Sequence, residues 1–282
     1  MPFVQMFICL KGIKFKEMIL VSEIKVGVQL FTLRDYIKNY EDTDKTLAYL
    51  KNNLGVDVVQ ISAIGDFPAE QQAELIKKYN LDVCVTHKPW TRIADDLDKL
   101  IDEHIMLGCD QIGLGCIPDE YRVDLASVRE FVRLANEAGK KMKEKGLTFA
   151  YHNHALEFAR LEDGRTIFDV LIEETDPEVF FFIPDTYWIH MGGVNEADFL
   201  RKLKGRVKVC HFKDWKVNLG ENVGSITELG CGNLDLDACY KACQEIGVSY
   251  IVYEQDNNCA VDALTSTAVS YKNLVAIHER NK

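Results

Sequence analysis

From residue 24 to the C-terminus, apolar runs of four to eight residues alternate with longer segments of helical spacing. The runs, at 24–31, 55–61, 81–86, 111–114, 147–151, 179–184, 207–210 and 250–253, are rich in β-branched and aromatic residues. Runs this short and continuous predict buried strands of a parallel sheet. Between them, 43–53, 68–79, 94–107, 125–145, 166–174, 196–203, 236–246 and 263–279 space their apolar residues as helices do. Asp42 and Thr43 are capping candidates for the first helix, and Pro68 suits the start of the second, where a missing N–H costs nothing. Eight strands alternating with helices leave a closed barrel or an open doubly wound sheet. The open sheet that binds dinucleotides needs a Gly-x-Gly-x-x-Gly turn, and Gly113-Leu114-Gly115 lacks its third glycine. The expected fold class is therefore α/β, a (β/α)8 TIM barrel.

Four of the runs break off at a potential metal ligand: 147–151 at His152, 179–184 at Asp185, 207–210 at His211 and 250–253 at Glu254. A strand has a side-chain period of two, so faces follow by counting. Thr148, Ala150 and His152 share a face, as do Phe181, Ile183 and Asp185, then Val207, Val209 and His211, then Val252 and Glu254. If the apolar members fill a barrel, the four polar ones converge on its C-terminal mouth, where barrel enzymes place their chemistry. Continued by two residues, the count turns His154 and Lys213 inward and Asp214 away. Gln29 and Gln60 end the first two strands, and His87 follows Val83 and Val85 on one face of the third. Neutral amides and an imidazole there suit the hydroxyls of a small polar substrate, and Trp188, Trp215 and Phe31 could supply an apolar wall for it. His104, inside a helix pattern, and His278, near the C-terminus, read as surface residues.

The chain has 282 residues, near the roughly 250 of a single barrel. Its net charge of −11 and lack of clustered Lys and Arg argue against nucleic acid or an anionic membrane surface as partner. A small polar substrate remains open, and a homo-oligomer is compatible with it. Nine cysteines, several within strand or helix patterns and none forming a Cys-x-x-Cys pair, fit a reducing, cytoplasmic setting without a zinc ribbon. Residues 1–22 read as an extension outside a single barrel domain at 23–282, with Met18 an alternative start. The apolar stretch 1–10 is too short to cross a bilayer and lacks the flanks of a secretory signal. Gly230-Cys231-Gly232-Asn233 could bind phosphate on backbone N–H groups, although a tight turn explains it equally well.

Several motifs stand in order at strand ends: Gly27-Val28-Gln29-Leu30-Phe31-Thr32-Leu33-Arg34-Asp35, Tyr151-His152-Asn153-His154-Ala155-Leu156-Glu157-Phe158, Asp185-Thr186-Tyr187-Trp188, Gly205-Arg206-Val207, His211-Phe212-Lys213-Asp214 and Tyr253-Glu254-Gln255-Asp256. Together they resemble the xylose isomerase-like barrels of the sugar phosphate isomerase/epimerase superfamily, from about residue 24 onward. The resemblance implies one divalent ion, Mn²⁺ or Zn²⁺ with Co²⁺ and Fe²⁺ as further options, held by His152, Asp185, His211 and Glu254. It also implies proton transfer beside a sugar carbonyl, with Glu254 as base and Lys213 and His154 as further catalytic candidates. In the ketose epimerases of this superfamily a glutamate stands where His152 stands here, so a symmetric mechanism with two glutamates is not expected. Two carboxylates and two neutral imidazoles also leave a bound divalent ion less offset by ligand charge than three carboxylates would.

The expected function is a metal-dependent sugar isomerase or epimerase. The alternatives within the same chemistry are a 3-keto-glycoside lyase or hydrolase and an inosose-type dehydratase. A non-catalytic sugar-binding barrel and an endonuclease IV-like phosphodiesterase rank below these, the latter because it calls for a basic track and more metal ligands.

Overall fold

The computed structural model describes residues 23–282; the extension expected at 1–22 lies outside the described residues. In chain order the barrel unit runs β1 (Lys25–Gln29), α1 (Tyr40–Leu54), β2 (Val58–Ile61), α2 (Ala69–Lys78), β3 (Asp82–His87), α3 (Trp90–Asp95), α4 (Leu97–Leu107) and β4 (Gln111–Leu114). It continues with α5 (Leu125–Glu144), β5 (Thr148–His152), α6 (Ile167–Glu174), β6 (Phe180–Ile183), α7 (Thr186–Met191), α8 (Glu196–Lys202) and β7 (Val209–Phe212). After a hairpin of β8 (Asp214–Val217) and β9 (Gly224–Thr227) come α9 (Leu236–Ile246), β10 (Tyr250–Tyr253) and α10 (Ala263–Asn281). All eight expected strands form, in the parallel order β6-β5-β4-β3-β2-β1-β10-β7. Bridges Phe182↔Val207 and Asp185↔His211 join the two ends of that order, which makes the sheet a barrel.

Burial divides the core largely as the period-two count requires. The exception is Val207, counted inward with Val209 and His211, which packs in the outer layer opposite Phe182, because four residues from Val207 to His211 run beside three from Phe182 to Asp185. Val58, Cys84, Val85, Ala150, Ile183, Val209 and Val252 fill the barrel, and the remaining large apolar side chains lie between strands and helices. Gly27 belongs to a crowded part of the wall: a Cβ there would lie 2.4 Å from the Val58 carbonyl oxygen. The third strand departs from simple alternation. Val59 pairs with Val83 but Gln60 with Val85, so a bulge at Cys84 turns Val83 outward and leaves Val85 and His87 facing in. Counting by twos along the sequence puts Val83 with them, because an extra residue in the register leaves no mark on the apolar pattern.

Local chemistry sets several boundaries. Asn39, and neither Asp42 nor Thr43, caps α1, its side chain accepting from the Asp42 N–H at 2.9 Å. The helix expected at 94–107 is two, broken at Asp96. His104 is buried, contrary to its surface reading. It stands four residues after Leu100 and three before Leu107, on the apolar face of α4. Its ring bonds the Leu100 carbonyl and the Thr86 hydroxyl, each at 2.7 Å, and burial pulls its pKa down to about 4. His278 is also largely buried, against the Tyr240 hydroxyl at 2.8 Å. No described helix is long and apolar enough to cross a membrane.

Candidate metal centre

The inward positions at the C-terminal ends of the strands form one polar layer above the apolar fill. His152, Asp185, His211 and Glu254 are buried there, with one ligand atom of each lying within 4.8 Å of all the others. His152 Nε2 is 3.4 Å from Asp185 Oδ2 and 3.9 Å from Glu254 Oε2. His211 Nδ1 is 3.0 Å from Glu254 Oε2 and 3.8 Å from Asp185 Oδ2. Ligand distances of about 2.0–2.2 Å put tetrahedral donors about 3.4 Å apart, and these four pairs bracket that value.

The surroundings orient each ligand. His152 Nδ1 meets the Gly115 carbonyl at 3.1 Å, and His211 Nε2 meets Gln60 Oε1 at 2.7 Å. Each acceptor takes the proton of one ring nitrogen and leaves the other facing the carboxylates, as in metal sites with an outer hydrogen-bonding shell. Asp185 caps α7 with Oδ1, which accepts from the Trp188 N–H at 3.1 Å, so Oδ2 is free for the centre. The donor set thus fits one divalent ion. Burial raises the Asp185 and Glu254 carboxyls, but Lys213 and the two imidazoles outweigh it and both end low, hence ionised. Burial opposes a charge on His211, yet Glu254 and Asp185 raise its pKa, so an ion there competes with a proton on Nδ1.

Lys213 is 1% exposed and its ammonium lies 2.8 Å from Glu254 Oε2 and 3.0 Å from Asp185 Oδ2. Burial alone would lower its pKa; the carboxylates of Asp185, Glu254 and Asp256 raise it instead. Its partners are thus Asp185, Glu254 and Asp256, and not Glu157 or Asp214, the carboxylates its own motif and the neighbouring His154 motif would offer. Glu157 bonds the Tyr151 hydroxyl and the His154 N–H, and burial pushes its pKa up to about 7. Asp214 accepts from the N–H groups of Gly230 and Gly232, both at 2.9 Å, which fills with a side chain the turn that could have bound phosphate.

Of the other residues singled out in the sequence, His87 and His154 lie beside the centre, with ring centroids 5.2 and 4.9 Å from that of His152. Burial, then the neighbouring His152, lowers both pKa values, that of His154 to about 3, so both rings are neutral. Trp188 packs on His154 at 5.0 Å. Gln60 orients His211 in addition to standing in the mouth. Gln29 Nε2, Gln60 Nε2, His87 Nε2, His154 Nδ1 and Trp188 Nε1 are buried without a protein partner, a state native side chains seldom keep unless something else meets them. Trp215 is the exception. The hairpin carries it onto His190, centroids 4.6 Å apart, and close against Gly224. Of Gln29, Gln60, His87, Trp188 and Trp215 only His87 lines the cavity directly, with the unpartnered nitrogens of Gln29, Gln60 and Trp188 buried behind its wall. That cavity, about 1580 Å³, runs from Glu254, Lys213 and His152 past Phe31 and Arg34 to Trp90.

Sequence reasoning assigned no role to Asp256, which holds the Lys213 ammonium at 3.1 and 3.2 Å. The signal is present: Asp256 follows Glu254 by two residues, the same step that places His154 and Lys213. Thr186 was also missed. Its hydroxyl accepts from the Lys213 N–H at 3.0 Å and donates to the Lys213 carbonyl at 2.7 Å, and only the fold brings it there.

A closed parallel barrel with a buried two-histidine, two-carboxylate cluster at its mouth defines a TIM barrel with a candidate metal centre. A family model described as a xylose isomerase-like TIM barrel matches residues 27–271, and the chain belongs to that family. Over 140 residues it is 26% identical to an inosose dehydratase of Clostridium beijerinckii, covering 45% of this chain and 46% of that relative. The chain thus matches about half the length of such curated relatives. A sugar phosphate isomerase/epimerase from Parabacteroides distasonis shares the fold with a TM-score of 0.76 at 20% identity, over 90% of this chain and 94% of that one. The IolI protein, solved with a binding zinc atom, has a TM-score of 0.70 at 15% identity, over 92% and 99%.

Gln60→Met keeps the volume and removes the acceptor for His211 Nε2–H. Loss of such an outer-shell partner typically weakens metal affinity about 10–100-fold. Chelator competition on the folded variant should show that loss, and an unchanged affinity would remove Gln60 from the metal's support.

Proposed function

We propose that this protein is a divalent-metal-dependent isomerase or epimerase that removes the proton next to the carbonyl of a sugar or keto-sugar. The observation that carries the reading is the convergence of His152, Asp185, His211 and Glu254 within 4.8 Å at the mouth. A bound divalent ion would supply Lewis-acid charge for a substrate carbonyl and its neighbouring hydroxyl. Mn²⁺ and Zn²⁺ suit the oxygen and imidazole donors best. Glu254 accepts the α-proton, and its C–H electron pair becomes the carbon–carbon π bond of the enolate. Lys213, charged and lining the same cavity as Glu254, steadies the oxygen on which negative charge collects. His154, neutral and with Nδ1 unpartnered, would relay the proton that returns to the substrate, giving one up from one ring nitrogen as it takes one at the other. His87, which lines the cavity, offers its unpartnered Nε2 to a substrate hydroxyl, and the unpartnered Gln29 Nε2 and Trp188 Nε1 stand behind it as further donors.

A second reading shares the first half of this chemistry. If a hydroxyl or alkoxyl stands β to the new carbanion, it leaves and the outcome is dehydration or lysis, which the similarity to an inosose dehydratase favours. The cavity is larger than the roughly 300–1,000 Å³ usual for small-molecule sites, so a keto-glycoside is also a suitable substrate. The phosphodiesterase alternative has less support: among the described residues only one such ligand cluster is found, and the chain carries a net charge of −11.

The test is a panel of ketoses, aldoses, inososes and 3-keto-glycosides incubated in D₂O with Mn²⁺- or Zn²⁺-loaded protein and followed by NMR. Deuterium at the carbon beside the carbonyl, with or without elimination, is the expected result and names the branch. Bound metal without exchange in any compound would favour a non-catalytic sugar-binding barrel.

A further inference from the structure

We propose that Lys213 is an internal counter-ion that competes with the divalent ion for Asp185 and Glu254, and that Asp256 is the seat to which its ammonium withdraws. This rests on the metal reading of the site. The ammonium bonds Asp185 Oδ2 at 3.0 Å and Glu254 Oε2 at 2.8 Å. Those two oxygens are also the ones that face His152 Nε2 and His211 Nδ1. Ammonium and metal ion therefore draw on the same lone pairs.

Three carboxylates against one ammonium leave this cluster, buried except for the partly exposed Asp256, at a net charge of −2, which one divalent ion neutralises. Before the ion arrives, Lys213 is what keeps Asp185 and Glu254 from facing each other uncompensated. When it arrives, two cationic centres share one pair of oxygens, and the ammonium, 1% exposed, is not solvated where it stands. Its remaining partners are Asp256, at 3.1 and 3.2 Å, and the face of Trp188, 5.3 Å away. Asp256 lies outside the four-ligand set, and its backbone is pinned by Arg34 Nη2 on its carbonyl at 2.7 Å. A carboxylate fixed beside the centre, bonded to the lysine and free of the ion, is what withdrawal needs.

The test measures Zn²⁺ and Mn²⁺ affinity by competition with a chromophoric chelator, for wild type, Lys213→Met, Lys213→Gln, Asp256→Asn and the double variant Lys213→Met with Asp256→Asn. Removing a charge a few ångströms from a divalent ion is a large Coulombic change, so both neutral lysine variants should bind metal at least about tenfold more tightly. Asp256→Asn should weaken binding by about tenfold in wild type but agree within about twofold when added to Lys213→Met, because it acts through the lysine. Unchanged or weaker binding in the lysine variants would overturn the competition. Equal weakening in both backgrounds would show Asp256 acting by its own charge and overturn the withdrawal. Should neither lysine variant fold, Asp256→Asn decides alone, and unchanged affinity there overturns the proposal. No metal bound by wild type would overturn the metal reading itself, a result distinct from each of these.

Discussion

Glu254→Gln, loaded with metal, should lose solvent-deuterium exchange beside the substrate carbonyl by about 10²–10⁴-fold, the usual effect of removing a positioned general base. The amide is nearly isosteric and can still turn an oxygen toward the ion, yet it cannot accept the proton. The fold should survive, because Lys213 keeps Asp185 at 3.0 Å and Asp256 at 3.1 Å as partners. Metal content and circular dichroism close to wild type, with exchange gone, would make Glu254 the base. Exchange persisting at full rate would move that role elsewhere, first to His154, whose unpartnered Nδ1 lies in the same mouth.

Asp185→Ala and His211→Ala should each reduce bound metal from about one ion per chain to near none after chelator treatment and reconstitution. Each removes one of only four donors, in a place where a side chain 0% exposed leaves water little room to replace it. Asp185→Ala has a second effect, since Oδ1 caps α7, and an N-cap is worth about 1 kcal/mol. Asp185→Asn separates the two, because asparagine caps equally well and is the poorer ligand. Metal content unchanged in both alanine variants would end the four-ligand assignment.

Much of this centre is legible in the sequence. The strands that carry it are continuous apolar runs, and a period of two tells which side of the first polar residue beyond each run faces the core. The same count reaches Lys213 and His154, and applied to Asp256 it finds the residue that holds the lysine. It fails at Val83, where the bulge changes the register, and at Val207, which packs outward opposite Phe182, and it does not reach Trp215, which sits on an antiparallel hairpin that no apolar run announces. Gly224–Thr227 and Asp214–Val217 are largely polar and exposed at their outer ends, so their pairing leaves little trace in hydropathy.

Periodicity alone therefore determined the eight strands, their order of alternation with helices and the inward direction of the candidate ligands, because these depend on local burial repeated along the chain. Which nitrogen of His152 and His211 faces the centre, and whether Lys213 pairs with Glu157, Asp214 or Asp256, only the tertiary structure decided. Those outcomes depend on acceptors that come from other strands and loops: the Gly115 carbonyl, Gln60 at a separation of 151 residues from His211, and Asp256 at 43 from Lys213. Closing the barrel brings these groups within hydrogen-bond reach, and no spacing along the chain encodes which of them will meet.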